Sequence, residues 1–96
     1  MVRAPRGQTP KHLVRLAGDY DLTRKDELAA IFAQLDGSAE VVIDMRDVTY
    51  MDSTVLRELA ALRSRNPHRS VSLLGVDNSI RRILRIVGFD RILNIV

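Results

Sequence analysis

The chain has 96 residues, of which 46% are hydrophobic and 28% charged, a composition typical of one folded domain with a modest core. The absence of cysteine excludes disulfides, thiolate metal sites and cysteine nucleophiles. The net charge of +3 comes from arginines spread along the chain, and aromatic residues are scarce, which argues against a nucleic-acid site with base-stacking platforms. Since neither a signal-peptide core nor an apolar run of about 20 residues is present, we expect a cytoplasmic protein without a membrane segment.

The first part of the chain divides into a lead-in and a strand. Residues 1–10 contain prolines and a glycine without periodicity, and are predicted to form a flexible basic N-terminal segment, with the folded domain in residues 11–96. His12–Ala17 has apolar residues on both sides of Arg15, which predicts a strand near one edge of a sheet, where an arginine reaches water. Residues 18–21 are rich in turn formers and predict the exit from this strand.

A first helix is predicted after this turn. Thr23 and Asp26 have the spacing of a capping box, and the helix should end before Gly37. Its buried face is predicted from apolar residues at i, i+3, i+4 and i+7, namely Leu28, Ile31, Phe32 and Leu35.

The central stretch predicts a strand, a link and a second helix. Val41–Ile43 is a continuous β-branched run, which is typical of a strand buried on both faces of a parallel sheet. Asp44–Asp52 is predicted to be a link whose acidic side chains face solvent. The pattern becomes helical from Thr54, and Asn66 and Pro67 predict the end of that helix.

The last third repeats the alternation. Ser70–Gly75 predicts a strand, residues 77–79 offer helix caps, and Gly88 ends a third helix. Ile92–Val96 predicts a final strand. The order β-α-β-α-β-α-β with short connections predicts a single α/β domain, with a mainly parallel or mixed sheet of about four strands.

Four acidic residues adjoin predicted strand ends: Asp21, Asp44, Asp47 and Asp52. Because the carboxyl ends of parallel strands meet at one edge of a sheet, these carboxylates could gather there and bind Mg²⁺. Aspartate also favours turns and caps for local reasons, and we prefer this second interpretation. No metal site and no cofactor are therefore expected.

Ser53 is the residue of the central stretch whose side chain is best suited to take part in a reaction. Nucleophilic catalysis would need a base beside it, but His12 and His68 lie at a strand start and in a polar loop, and no glycine-rich phosphate loop is present, so an enzyme is not expected. Ser53 could be a helix N-cap or a phosphate acceptor. A phosphoryl group would add about −1.5 to −2 charges next to Asp52 and Asp21, enough to alter a binding surface without refolding the domain.

The segment Asp44–Leu56 resembles the signature of STAS domains, the family of bacterial anti-sigma factor antagonists. In that signature a buried strand, an acidic link and an aromatic-Met-Asp-Ser sequence lead into a helix. Gly18–Leu22 resembles the Gly-x-x-Asp turn of the family, and Val87–Phe89 resembles its Gly-aromatic sequence after the third helix. The resemblance covers roughly residues 11–96.

The resemblance implies a non-enzymatic switch with the STAS fold. In that family the unphosphorylated antagonist binds an anti-sigma factor that is itself a serine kinase, which releases a sigma factor; the kinase phosphorylates the serine that follows the aspartate, and a phosphatase removes the phosphate. The acceptor maps to Ser53, with Thr54 as a weaker candidate. The implied partner-binding residues are Asp21, Asp52, Ser53, Thr54, Val55 and Arg57. The protein is expected to be a monomer or weak dimer.

One departure from the family pattern leaves alternatives open. Val55 stands where the family commonly has glycine, so we expect added bulk at the first helical turn that narrows the approach of a kinase. A first alternative is a STAS scaffold that binds its partner constitutively, in a transport or stressosome-type assembly. A second is a module that binds a nucleotide or another small ligand at the acidic edge, or nucleic acid through the arginines.

Overall fold

A parallel four-stranded sheet in the order β1-β2-β3-β4 organises the protein, whose structure is a computed structural model describing residues 11–35 and 37–96. The strands are β1 (Lys11–Tyr20), β2 (Glu40–Met51), β3 (Ser70–Leu74) and β4 (Asn94–Ile95), and the helices are α1 (Lys25–Ala33), α2 (Ser53–Arg65) and α3 (Asn78–Ile86). The predicted α/β domain is confirmed. The prediction for residues 1–10 lies outside the described residues.

The helices cover one face of this sheet. Each strand pairs with the next one in sequence, and right-handed crossovers then place all three helices on the same side. Val41 and Ile43 are fully buried under the helices, whereas Val42, which points to the other face, is half-buried. The prediction of burial on both faces is therefore wrong for β2.

The first two strands are longer than the sequence pattern predicted. Residues 18–20, expected in a turn, belong to β1, and most of the expected link Asp44–Asp52 belongs to β2, which runs to Met51. Register shifts between Arg15 and Ala17 and after Gly18 interrupt the pairing of β1 with β2. Such irregularities break the alternation of apolar and polar residues, and this is why the continuation of both strands was missed.

Two helix starts differ in how well they were predicted. Thr23 does not cap α1; instead the Asp21 carboxylate accepts a 2.9 Å hydrogen bond from the Thr23 N–H and caps a 3-10 turn over residues 22–24, after which α1 begins at Lys25. At α3 the predicted cap is confirmed, because Asp77 accepts a 2.8 Å bond from the Ile80 N–H.

The end of the chain follows the predicted order. Gly88, with φ of 81°, follows α3 in the left-handed conformation that glycine adopts readily. The last strand is limited to Asn94–Ile95, shorter than the expected Ile92–Val96. No helix among the residues with described structure has the length and apolar character needed to cross a membrane.

Arg69 ties the elements together at the amino ends of the strands. Its side chain is only 2% exposed and donates to the Ser38, Leu62 and Leu35 carbonyl oxygens at 2.9, 2.9 and 3.0 Å. These carbonyls lie after α1 and near the end of α2, so one guanidinium satisfies acceptors that the helices leave free. No local sequence pattern around Arg69 indicates this role.

Candidate functional site

The candidate site lies where β1 and β2 end side by side. Tyr20 and Met51 are paired in the parallel register, so the residues that follow them, Asp21 and Asp52, leave the sheet next to each other. The Asp52 N–H donates to the Tyr20 carbonyl oxygen at 3.3 Å and continues the ladder by one bond. The structure thus brings together two of the predicted site acids.

Asp52 is the N-cap of α2. Its Oδ1 accepts from the Thr54 N–H at 2.8 Å, and its carbonyl oxygen accepts from the Val55 N–H at 3.2 Å. The possibility that Ser53 is the capping serine is therefore wrong. Since the aspartate satisfies the cap, Ser53 is the first residue of the helix and its side chain is exposed to solvent.

The next two predicted site residues point inward. Thr54 is 9% exposed and Val55 1% exposed, and Val55 belongs to the core cluster. The expected bulk of Val55 at the surface is therefore absent, because its side chain packs beneath the first turn. Arg57, one turn after Ser53, is exposed on the same side of α2.

Asp21 remains a carboxylate at the end of β1. A hydrogen bond from the Thr23 hydroxyl, followed by the bond from the Thr23 N–H, holds the pKa of Asp21 below its ordinary value. The site therefore carries two acidic caps, at Asp21 and Asp52, on neighbouring segments. A negatively charged group attached to Ser53 would be repelled by both carboxylates.

Arg24 braces the end of β1, a role that the sequence analysis did not identify. Its Nη1 donates to the Ala17 and Asp19 carbonyl oxygens at 2.9 and 3.1 Å, and its guanidinium lies 3.9 Å from the centroid of the Tyr20 ring. Glu27 pairs with it at 2.6 Å. These contacts fix the backbone that leads into Asp21.

Asp44 does not contribute to an acidic edge. It is 2% exposed on the open face of the sheet, where Arg46 contacts it at 2.7 Å and Arg15 at 3.5 Å. Hydrogen bonds from the Arg46 side chain hold the pKa of Asp44 far below its ordinary value. The expectation that this acid faces solvent is wrong, and no group of three metal-binding side chains exists among the described residues.

Exposed apolar side chains lie at the same end of the sheet as Ser53. Leu22 is 69% exposed directly after Asp21, and Tyr50 is 52% exposed close to the end of β2. Large apolar groups at such exposure supply contact area for protein interfaces. No local sequence pattern indicates that these two side chains are exposed.

Comparison with known proteins agrees with the fold. The family model described as "Mlab, STAS domain" matches residues 5–95. The anti-sigma-B factor antagonist of Staphylococcus aureus is 27% identical over 86 residues, which cover 85% of this chain and 80% of that protein.

Two solved structures extend the comparison. An anti-sigma factor antagonist from Mycobacterium paratuberculosis superimposes with a TM-score of 0.78 at 20% identity, over 98% of this chain and 89% of that chain. A sulfate transporter family protein from Wolinella succinogenes gives a TM-score of 0.69 at 16% identity, over 95% and 84% of the two chains. The fold is thus shared with both an antagonist and a transporter protein, and the family match over nearly the whole sequence shows that this chain belongs to the STAS domain family.

Proposed function

We propose that this protein is a non-enzymatic anti-sigma factor antagonist that is switched by phosphorylation of Ser53. In the unphosphorylated form it binds an anti-sigma factor of the serine kinase type, and a sigma factor is released. The kinase then phosphorylates Ser53, and a phosphatase reverses the modification. The observation that carries this proposal is the division of roles at α2, where Asp52 caps the helix and the Ser53 hydroxyl stays exposed.

The phosphoryl transfer fits the geometry of the acceptor. The Ser53 oxygen attacks the γ-phosphorus of ATP held by the kinase, a new O–P bond forms, the bond to the β-phosphate oxygen breaks, and ADP leaves while a base of the kinase takes the hydroxyl proton. An exposed serine can enter a kinase site without local unfolding. Thr54 would have to leave the core to do so, since only 9% of it is exposed.

The electrostatic effect of the phosphate has two opposing parts. The N-terminus of α2 attracts an anion through its free N–H groups and its dipole. Asp52, held by its cap bond, and Asp21, kept ionised by Thr23, repel it. The phosphate therefore adds charge to a fixed surface instead of rebuilding it, which is the behaviour required of a reversible switch.

The partner surface surrounds this serine. We assign direct contacts to the exposed side chains of Ser53 and Arg57 and to the half-buried Asp21 and Asp52. Thr54 and Val55 have supporting roles, because they hold the first turn of α2 against the core. Leu22 and Tyr50 add apolar area. A partner that docks here covers the hydroxyl, so phosphorylation would place about two negative charges inside the interface.

Intact-mass measurement after incubation with Mg-ATP and a candidate anti-sigma factor of the serine kinase type tests the proposal. We expect one added phosphate, mapped to Ser53, and none in the Ser53→Ala protein. Ser79→Ala is the matched control, because Ser79 is also an exposed serine in the first turn of a helix capped by aspartate. Unchanged phosphorylation of Ser53→Ala would contradict the assignment.

The affinity for the same partner is a second test of the proposal. Ser53→Asp should weaken binding and Ser53→Ala should preserve it. Equal affinity of the two variants would instead support a constitutive STAS scaffold. Saturable binding of a nucleotide in calorimetry would support the small-ligand alternative.

A further inference from the structure

A groove lies along the β4 edge of the sheet, away from Ser53. It encloses about 340 Å³ between α3 and β4. Its lining residues are Arg81, Arg85, Asp90, Leu93, Asn94 and Ile95. Because β1 and β4 are the outer strands of the described sheet, this groove is on the opposite side of the sheet from β1.

The backbone of β4 is available for pairing at this edge. The Val96 N–H donates to the Leu73 carbonyl oxygen at 2.9 Å, and Leu73 is the register partner of Ile95. Since successive residues of a strand direct their backbone groups to opposite sides, the N–H and C=O of Ile95 point away from β3. No strand within residues 11–35 and 37–96 pairs with that side, and such an edge is a template for another strand.

The charge of the groove favours an acidic ligand. Arg81 and Arg85 are four residues apart and therefore lie on the same side of α3. The ion pairs formed by described residues involve other arginines, so neither of these two guanidiniums has a carboxylate within salt-bridge distance there. The helix has three arginines and no acidic residue, and only Asp90 adds a negative charge to the lining.

The shape of the groove favours an extended chain. Ile95 is half-buried, so its side chain gives the lining apolar surface beside the free backbone groups. A flat membrane could not enter this cleft, and the exposed Ile86 that would meet a bilayer does not line it. Strand addition in a cleft between an edge strand and a helix satisfies the backbone, while side-chain contacts give specificity.

We propose that the groove between α3 and β4 binds an acidic extended segment of a partner protein, which adds to the sheet as a strand beside β4. The backbone of the segment pairs with Ile95, and its carboxylates pair with Arg81 and Arg85. This interaction is separate from the phosphorylation switch and goes beyond it. Ser53→Asp should leave it unchanged, so the two proposals fail independently.

Titration of the isotope-labelled protein with a blocked six-residue peptide of alternating valine and glutamate tests the proposal. We expect saturable NMR shifts at the Ile95 amide and at the Nε–H groups of Arg81 and Arg85. A peptide with lysine in place of glutamate should bind at least about tenfold more weakly, because its positive side chains would be repelled by Arg81 and Arg85. Absence of saturation up to millimolar peptide, or equal binding of the lysine peptide, would overturn the proposal.

Two matched pairs of variants locate the interaction. Arg85→Glu should weaken binding about tenfold, whereas Arg82→Glu, the same change at an exposed residue outside the groove, should have little effect. Ile95→Pro removes the outward-pointing N–H together with the isoleucine side chain and should abolish binding. Ile95→Ala also removes that side chain but keeps the N–H, and should retain binding.

The amide spectrum of each variant verifies that the fold is intact. Binding by a folded Ile95→Pro protein as tight as by Ile95→Ala would overturn strand addition. Binding to phosphatidylglycerol vesicles that depends on Arg85 but not on Arg82 would overturn the assignment of a protein segment in favour of a lipid.

Discussion

The two ends of the sheet place polar groups at helix termini in opposite ways. At the carboxyl end Asp52 caps α2 and leaves Ser53 exposed. At the amino end Arg69 is 2% exposed and donates to three carbonyl oxygens. The carboxyl end therefore has an exposed hydroxyl, whereas the amino end has a buried guanidinium surrounded by hydrogen-bond acceptors.

Under the proposed function, this difference separates the residues that stabilise the domain from the residue that is phosphorylated. A buried charge is tolerated only when its hydrogen-bond partners are in place, so changes near Arg69 disturb the fold. An exposed hydroxyl beside a cap that another residue already provides can gain or lose a phosphate at little cost to folding. Phosphorylation of Ser53, as proposed, would therefore alter the charge at one end of the sheet without destabilising the other end.

The largest effect is expected from removing the enclosed charge. Arg69→Met should lower the free energy of unfolding by about 3–5 kcal/mol, because carbonyl oxygens near the ends of α1 and α2 lose their donors in a buried setting. Urea denaturation measures the change. Arg82→Met, at an exposed position, is the matched control and should cost less than about 0.5 kcal/mol. Equal losses in the two variants would contradict the structural role of Arg69.

The next largest loss of stability is expected near a second buried charge, Asp44. Its partner Arg46 lies over Gly75. Gly75 has φ of 73°, and a Cβ there would be 2.0 Å from Arg46 Cγ. Gly75→Ala should therefore destabilise the protein by about 1–2 kcal/mol and displace Arg46 from Asp44. Gly37→Ala, where a Cβ would meet no described atom within 4 Å, should be nearly neutral in the same denaturation measurement.

The pH dependence of these two variants sharpens the prediction. Hydrogen bonds from Arg46 hold the pKa of Asp44 below its value in the unfolded chain, which is about 3.9. The resulting stability is present above pH ~4 and is lost as the pH falls through the folded-state pKa. Gly75→Ala should lose less stability than Gly37→Ala on acidification from pH 5 to 2. A parallel decline in both variants would indicate that Arg46 still holds Asp44.

A smaller loss is expected at the carboxyl end of the sheet. Asp52→Ala removes the oxygen that accepts from the Thr54 N–H and should cost about 1 kcal/mol, whereas Asp52→Asn keeps a capping oxygen and should restore most of the loss. Thermal denaturation of the two variants tests this order. An Asn variant no more stable than the Ala variant would show that the charge of Asp52, and not its hydrogen bond, stabilises α2.

The sequence predicted the order of elements and the joint at Ser53, because helix stripes, β-branched runs and the motif are local patterns. It did not predict which of two neighbouring N-cap formers, Asp52 or Ser53, caps α2, since both residue types suit that position. Arg69 was missed for a different reason. Its acceptors at Leu35, Ser38 and Leu62 are distant in sequence, and only packing brings them together.

The same limit explains Asp44. In the sequence it resembles the other acids that follow a hydrophobic run, and aspartate is common at strand ends. Its burial depends on β2 continuing beyond it, which places Arg46 of the same strand and Arg15 of the neighbouring strand beside its carboxylate. Charges whose role depends on how strands continue and pack are therefore the part of this fold that a local pattern does not reveal.

The smallest effect on stability is expected at Ser53 itself. Ser53→Ala should change the free energy of unfolding by less than about 0.5 kcal/mol, because Asp52 supplies the cap and the serine side chain is exposed. Ser53→Asp should be similarly neutral, since attraction by the helix N-terminus opposes repulsion from Asp52. Urea denaturation beside Ser79→Ala tests both. A loss of more than about 1 kcal/mol in Ser53→Ala would mean that the hydroxyl stabilises α2, and phosphorylation would then change the fold as well as the partner surface.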